Sequence, residues 1–249
     1  MAKIKNNDLV LLMRAGRKIL VRAENKKINN DWGIIDLKKL IGKKFDSVIE
    51  TSAGKKVSVA TPQFYDILAY CKRGPAVILP KDFAAIVSLT GVGKNSEVAD
   101  IGTGSGWLAA QLANICKKVT TYEIRKDFYQ LANRNFEFLG LKNISAKNVD
   151  ASEGVAEKDV DLVTVDVAVP RHLVSVAEKS LRTGGYFVAY CPQITQVLRL
   201  AEKLAGSKLK LERVVETLQR DWKFEEQIAR PEHQMLGHTA FIVVARKTN

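Results

Sequence analysis

The fold is decided by the stretch Glu97-Val98-Ala99-Asp100-Ile101-Gly102-Thr103-Gly104-Ser105-Gly106. A short apolar run leads into three glycines at alternate positions, and a helical pattern begins directly after them at Trp107. This order predicts a strand, a tight turn and a helix. Glycines let the backbone turn sharply and let a ligand lie against the main chain, so the turn is expected to bind a ligand.

A second predicted strand, 119–122, ends on Glu123. Nucleotide-binding βαβ units place an acid that holds the ribose hydroxyls about 20 residues after the first glycine. The loop has the spacing G-x-G-x-G, not the dinucleotide spacing G-x-G-x-x-G, and it carries no basic residue for a pyrophosphate. S-adenosylmethionine, which has a ribose and no phosphate, fits this pattern, and Asp100 is expected to help bind its ammonium group. The alternative is an ordinary strand–helix turn with a surface glutamate.

Beyond this loop, predicted strands alternate with predicted helices, which indicates an α/β fold with a largely parallel sheet. Asp82 is expected to cap a helix over 83–89, and the segments 210–219 and 238–245 are expected to form an antiparallel hairpin. The predicted strands are 97–101, 119–122, 144–148, 161–165 and 185–190, and the helices between and after them are 107–115, 125–139, 171–181 and 194–205.

The chain has 249 residues and a net charge of +12. Residues 1–60 are expected to form a small β-rich domain, 61–75 a linker helix and 76–249 the cofactor-binding catalytic domain. Residues 1–75 carry sixteen Lys or Arg against seven Asp or Glu, so the excess charge lies mainly there. This asymmetry favours a polyanion partner, nucleic acid before membrane, over a merely well-solvated basic surface.

The sequence has no apolar run near the ~20 residues of a membrane span, and no signal-peptide pattern opens it. We therefore expect a cytoplasmic protein without membrane partners. Cys71, Cys116 and Cys191 are far apart and are expected to be reduced thiols, and the three histidines lack zinc-ligand spacing, so no metal site is predicted.

Three acids follow predicted strands at the edge where such sheets bind ligands. Glu123 follows the second strand, Asp150 the third and Asp166 the fourth. Asp150 is placed to hydrogen-bond the adenine amino group of the cofactor, with the Ala151 backbone against the ring. An acid at the end of an apolar strand in the middle of a sheet is more often functional than not, so Asp166 is a candidate catalytic residue.

Several stretches resemble the tRNA (adenine-N1)-methyltransferases that modify the T-loop. The glycine loop identifies only a methyltransferase, whereas the C-terminal signature points to this family. The similarity covers nearly the whole chain, through residues 8–12 (DLVLL), 79–82 (LPKD), 100–106 (DIGTGSG), 122–128 (YEIRKDF), 220–222 (RDW) and 230–241 (RPEHQMLGHTAF).

The resemblance implies a class I S-adenosylmethionine-dependent methyltransferase fold with a small N-terminal β-domain, assembled as a homotetramer. It implies methylation of N1 of a T-loop adenine of tRNA at position 58, and in archaea often 57. Asp166 matches the catalytic aspartate. The residues expected to bind the cofactor are Gly102, Thr103, Gly104, Ser105, Gly106, Glu123, Phe128, Asp150, Ala151 and Asp166, and those expected near the substrate RNA are Tyr190, Arg230, His233 and His238.

The chain departs from the family at three places. The family commonly has Asp-Leu-Pro-x-Pro where residues 166–170 read DVAVP, a tyrosine at Leu79, and a histidine-bearing segment at 29–33. These changes bear on how the base is positioned. A non-catalytic RNA-binding partner subunit is one alternative function, against which the three glycines and Glu123 argue. A small-molecule methyltransferase is another, against which the basic N-terminal part argues.

Overall fold

The computed structural model of the protein describes residues 2–74, 76–225 and 227–249. The chain divides into two units, Met1–Cys71 and Lys72–Asn249. Pro75, the last residue of the expected linker 61–75, and Met1, the first of the expected N-terminal domain, lie outside the described residues. Among the described residues, no helix has the length and apolar character needed to cross a bilayer.

The first unit is built mainly of antiparallel strands. Its elements are β1 (Leu9–Arg14), β2 (Arg17–Arg22), β3 (Lys27–Asn30), β4 (Gly33–Asp36), a 3-10 helix over Leu37–Leu40, β5 (Ser47–Glu50), β6 (Lys56–Ala60) and α1 (Phe64–Leu68). The order β2-β1-β6-β5 forms one sheet, and β3 and β4 form a separate hairpin. Alternation in β6 turns Val57 and Val59 inward and Ser58 outward, which places one face of the sheet on a core that includes Leu12, Trp32 and Leu40.

The second unit is an α/β structure. Its elements are α2 (Pro80–Thr90), β7 (Glu97–Ile101), α3 (Trp107–Ile115), β8 (Lys118–Tyr122), α4 (Lys126–Leu139), β9 (Ile144–Lys147), β10 (Val160–Val165), α5 (Val174–Ser180), β11 (Leu181–Cys191), α6 (Ile194–Ala205), β12 (Leu209–Val215), β13 (Trp222–Glu225), β14 (Ile228–Pro231) and β15 (Phe241–Lys247), with 3-10 helices over Ala151–Glu153 and Pro170–Leu173. Seven strands form one sheet of order β12-β15-β11-β10-β7-β8-β9. A separate two-stranded arm, β13–β14, lies between β12 and β15 in the chain.

The predicted α/β class is confirmed. β7 to β11 are parallel, and β15 is antiparallel to both β11 and β12. The central strands β7, β8 and β10 are almost wholly buried, as expected of parallel strands covered on both faces. In β10, for example, residues 162–165 are all buried, and Val163 and Val165 join Phe187 and Ala99 in one core cluster.

The register of the parallel strands positions the site. Ile101 at the end of β7 is paired with Tyr122 at the end of β8 and with Val165 at the end of β10. The residues that follow these three strands therefore share one edge of the sheet. This edge brings Gly102, Glu123 and Asp166 together although they are up to 64 positions apart in the sequence.

Two expectations need correction. Helix α2 begins at Pro80 with Leu79 as its N-cap, so the expectation that Asp82 caps a helix starting at Phe83 is wrong. Proline is favoured in the first helical turn because its missing N–H would have no partner there, and this sets the earlier start. The segments predicted as a C-terminal hairpin do pair antiparallel, as β12 and β15, but the arm β13–β14 is inserted between them.

Candidate active site

The glycine loop 102–106 fits its surroundings only because residues 102 and 106 have no side chain. Gly102, Gly104 and Gly106 all have positive φ, at 95°, 54° and 82°. A Cβ on Gly102 would lie 2.1 Å from the backbone oxygen of Asp166, and one on Gly106 would lie 2.6 Å from the ring of Phe136. The loop is thus held against the segment after β10 on one side and against α4 on the other, with its backbone open to a ligand.

Beneath the loop, Asp100 is buried in the sheet. Its two carboxylate oxygens accept hydrogen bonds of 2.6 Å from the hydroxyls of Thr121 and Thr164, its cross-strand partners on β8 and β10. Burial raises the pKa of Asp100. With only 1% of its surface exposed, Asp100 supports the strands under the loop, and the expectation that it presents a carboxylate to the cofactor's ammonium group is not met.

The other loop side chains are buried as well. The Thr103 hydroxyl lies 2.5 Å from that of Thr121. Ser105 is buried, and its carbonyl accepts a hydrogen bond of 2.8 Å from Nδ2 of Asn135 in α4. Thr103 and Ser105 therefore fix the shape of the loop, and they would meet a cofactor mainly through their backbone.

Glu123 is linked directly to the glycine loop. One carboxylate oxygen accepts a hydrogen bond of 2.9 Å from the Gly104 backbone N–H, and the other accepts one of 2.9 Å from the Arg125 N–H. These two bonds orient a nearly buried carboxylate toward the cavity that it helps to line. A carboxylate held in this way has lone pairs left to accept hydrogen bonds from the hydroxyl groups of a ligand.

A cavity of about 320 Å³ lies beside Glu123. Asp150, Ala151 and Ser152 form one part of its wall, and apolar side chains form much of the rest, including Ile124, Val149 and Val167. Asp150 caps the 3-10 helix Ala151–Glu153 by accepting a bond of 2.8 Å from the Ser152 N–H, and this bond lowers the pKa of the Asp150 carboxyl. Apolar walls with a few convergent polar groups suit a nucleoside.

His172 also lines this cavity and was missed at the level of sequence. It lies two residues after Pro170, in the 3-10 helix that follows the loop after β10. Its position after β10, at the sheet edge that carries the three acids, could have identified it. It was considered only for zinc-ligand spacing, which does not reveal this role.

Asp166 directly follows β10 and occupies a largely buried position. Its backbone N–H donates a hydrogen bond of 2.9 Å to the carbonyl oxygen of Ile101, and this bond fixes Asp166 beside the glycine loop. Burial raises the pKa of its carboxyl to about 7, and the nearby charge of Asp100 adds to the rise. Among the described residues, none donates a hydrogen bond to this carboxyl. Asp166 is therefore a hydrogen-bonding group available to a ligand at the sheet edge.

Tyr190 lies at the end of β11 and belongs to a buried polar cluster. Its phenol donates a bond of 2.9 Å to Asp82, which also accepts from Lys81 Nζ at 2.7 Å and from the Thr217 hydroxyl. Burial alone would raise the pKa of Asp82, but these hydrogen bonds outweigh it and lower the pKa. The Tyr190 hydroxyl is thus engaged within the protein, and only its ring could meet a base.

Phe128 and the three C-terminal candidates occupy different positions. Phe128 lies in α4, and the guanidinium carbon of Arg125 lies 4.2 Å from the centre of the Phe128 ring. Arg230 is on the arm strand β14, and His233 is exposed just after it. His238 is bonded to Glu216 through Nδ1 and to the Pro192 carbonyl through Nε2 at 2.8 Å. Within the described residues, no hydrogen bond joins Arg230, His233 or His238 to Asp166.

The chain is similar to known methyltransferases. The family profile described as protein-L-isoaspartate(D-aspartate) O-methyltransferase (PCMT) matches residues 58–219. The chain is 31% identical to the tRNA (adenine(57)-N(1)/adenine(58)-N(1))-methyltransferase TrmI of Methanocaldococcus jannaschii, over 95% of this chain and 94% of that protein.

Two solved structures resemble it closely along their length. The tRNA (m1A58) methyltransferase TrmI from Aquifex aeolicus has a TM-score of 0.84 and 30% identity, with all of both chains covered. A SAM-dependent O-methyltransferase from Thermotoga maritima has a TM-score of 0.89 and 34% identity, with 99% of this chain and 95% of the other covered.

Proposed function

Because this chain belongs to the tRNA (adenine-N1)-methyltransferase family, we propose that it transfers a methyl group from S-adenosylmethionine to N1 of an adenine in the T-loop of tRNA. Position 58 is the first candidate and position 57 the second, since the archaeal relative is named for both and the bacterial structure for 58 alone. The main observation behind this proposal is the Asp166 carboxyl, which lies at the sheet edge beside Gly102 and has no hydrogen-bond partner among the described residues.

The residues present fit the cofactor. At Gly104 an added Cβ would meet no described atom within 4 Å, so the main chain there leaves space for a ligand. The adjoining cavity offers the Glu123 carboxylate for ribose hydroxyls and Asp150 for the adenine amino group, between apolar walls. Phe128 and the Ala151 backbone complete the proposed set. S-adenosylmethionine supplies the methyl group that is transferred.

Asp166 is proposed to act on the target base. Neutral adenine carries no proton on N1, so the reaction needs orientation and charge stabilisation rather than a strong general base. A carboxylate that accepts a hydrogen bond from the exocyclic N6 amino group makes N1 more electron-rich. It also stabilises the positive charge that spreads over the ring as N1 is methylated, and this favours the transition state.

The base must first leave its stack, at a cost of roughly a few kcal/mol. The Tyr190 ring is proposed to contact the displaced base, as aromatic side chains do in RNA sites. Arg230, His233 and His238 are proposed to lie toward the RNA. The charge excess of residues 1–75 suits phosphate contacts and predicts affinity for tRNA that falls steeply with salt.

We also propose a homotetramer acting in the cytoplasm. Support for association comes from the β13–β14 arm and the segments beside it, which expose large apolar side chains that a monomer rarely leaves in water. Phe224 is 75% exposed and Trp222 56%. Light scattering of the purified protein tests this, and a mass of one chain at micromolar concentration would contradict it.

The function is tested by incubating the purified protein with S-adenosylmethionine and unmodified tRNA transcripts. Mass spectrometry of the digested RNA should show N1-methyladenosine in the T-loop. Transcripts with guanosine at 57, at 58 or at both assign the site. Methylation that survives the double replacement would contradict the proposal, as would an absence of RNA methylation together with methyl transfer to an isoaspartyl peptide.

A further inference from the structure

The segment 72–74 is fastened to the glycine loop by one buried amide. Asn135 of α4 donates from Nδ2 to the Ser105 carbonyl at 2.8 Å and to the Lys72 carbonyl at 2.9 Å, and its Oδ1 accepts from the Lys72 N–H at 3.1 Å. A Cβ added to Gly74 would lie 3.0 Å from the Phe128 ring and 3.7 Å from the Ser105 Cβ. The segment therefore packs closely on the loop.

This fastening places the Arg73 side chain at the start of α3. Its guanidinium carbon lies 4.3 Å from the centre of the Trp107 ring, and Trp107 is the first residue of α3. No described carboxylate forms an ion pair with Arg73. A guanidinium is always charged in proteins and presents a planar fork that matches a carboxylate. Arg73 is thus a positive charge held beside the loop without a counter-charge from the described residues.

The start of α3 also lacks hydrogen-bond acceptors. Its N-cap is Gly106, which has no side chain to cap the free N–H groups of the first turn, and the helix dipole makes this end positive. Trp107 is only 5% exposed, and its indole Nε1 has no hydrogen-bond partner among the described residues. A buried N–H without an acceptor is costly, so these groups together favour the binding of an anion at this end.

We propose that Arg73 binds the carboxylate of the methionine moiety of S-adenosylmethionine at the start of α3. The carboxylate is the only anionic group of that molecule at neutral pH. With the adenosine in the cavity beside Glu123 and Asp150, the glycine loop joins the two ends of the site. This assignment deepens the proposed cofactor site and rests on it. Arg73 is then a positioning residue that anchors the donor by the end remote from its adenine.

The test compares two ligands that differ in this end. S-adenosylhomocysteine carries the carboxylate, whereas 5′-methylthioadenosine has the same adenosine and thioether without the amino acid. Binding of both is measured by calorimetry to the full-length wild type, Arg73→Ala and Arg73→Lys. Loss of a charge-assisted pair should weaken S-adenosylhomocysteine by about 10- to 100-fold in Arg73→Ala. The Lys variant, which keeps the charge but loses the fork, should fall between, and 5′-methylthioadenosine should change by less than about twofold.

Arg246→Ala is the matched control. Its guanidinium also lies over an aromatic ring of the same unit, 5.0 Å from the centre of Tyr186. Both ligands should bind this variant as they bind the wild type. An equal loss of both ligands in Arg73→Ala, or no loss of S-adenosylhomocysteine, would overturn the proposal.

Filter binding of tRNA without cofactor tests whether the anion that Arg73 binds is an RNA phosphate instead of the cofactor's carboxylate. If Arg73 held an RNA phosphate, Arg73→Ala would lose tRNA affinity and keep S-adenosylhomocysteine, which also overturns the proposal. If the wild type bound neither small ligand, the cofactor site itself would be refuted, a result distinct from the failure of Arg73 alone.

Discussion

The phenol of Tyr190 and the carboxylate of Asp82 are hydrogen-bonded at 2.9 Å inside the second unit, although 108 positions separate them in the chain. Asp82 has no exposed surface and also pairs with Lys81. Lys81 in turn donates to the Thr239 hydroxyl at 2.7 Å. This cluster links the start of α2 to the end of β11 and to the segments just before and just after the β13–β14 arm. A buried charge of this kind is stable only while its partners are complete.

Replacing Tyr190 by Phe should therefore destabilise the protein. The change removes one donor from buried Asp82, and the expected loss is about 1–3 kcal/mol in the free energy of unfolding by urea. Tyr186→Phe, in the same strand, is the control and should cost less than about 0.5 kcal/mol. Equal stability of Tyr190→Phe and the wild type would show that the phenol is free for another role.

Gly102→Ala should disrupt the site more than an ordinary glycine substitution. The new Cβ would meet the Asp166 backbone oxygen at 2.1 Å, and φ is 95°. We expect a loss of about 3 kcal/mol or more, with loss of S-adenosylhomocysteine binding. Gly91→Ala is matched in having positive φ, 67°, but its Cβ meets no described atom within 4 Å, so about 1–2 kcal/mol is expected. Similar unfolding curves for the two variants would contradict the close approach.

The bond between His238 and Glu216 should make stability depend on pH. Glu216 and the Pro192 carbonyl raise the pKa of His238 above its ordinary 6.5. A raised histidine pKa gives stabilisation that is complete below pH 6.5 and is lost as the pH rises through the folded-state value. The melting temperatures of the wild type and Glu216→Gln should thus differ at pH 6 and converge at pH 9. The effect should be small because both side chains are partly exposed.

As the pH rises, Asp166 should contribute less to stability and more to the rate of methylation. Its pKa of about 7, against an ordinary 3.8, means that the fold favours the neutral carboxyl. Its stabilising contribution in the ligand-free protein is complete below about pH 4 and is lost as the pH rises to about 7. Methylation needs the ionised acceptor, so the rate should rise over the upper part of that range.

Urea unfolding of the wild type and Asp166→Asn at pH 5 and pH 8 checks the first half of this prediction. The free energy of unfolding of the wild type minus that of Asp166→Asn should be larger at pH 5 than at pH 8. A difference between the two proteins that does not change with pH would show that Asp166 is not desolvated in solution.

The sequence predicts the features whose cause is local. The glycine loop follows from the positive φ that its tight turn requires, and Glu123, Asp150 and Asp166 are each marked by the strand before them. The parallel register then brings Glu123 and Asp166 to one edge, which follows from the alternation of strands and helices.

The features that escaped prediction depend on distant partners. Asp82 was interpreted as a helix cap because its local sequence suits one, while the Tyr190 and Thr217 groups that hold it are more than 100 positions away. Asp100 was interpreted as a cofactor ligand because its two threonine partners lie on other strands. Arg73 meets Trp107 only through the packing of its segment on the glycine loop.

The most direct test of the account is methyl transfer by Asp166→Ala. Binding of S-adenosylhomocysteine, measured by calorimetry, should stay within about twofold of the wild type, because Asp166 acts on the base. The rate of N1-methyladenosine formation in T-loop tRNA should fall by about 100- to 1,000-fold or more, as when one group that stabilises a transition state is removed. Glu202→Ala, an exposed carboxylate of α6, should leave both unchanged. Near-normal methylation by Asp166→Ala would contradict the central claim.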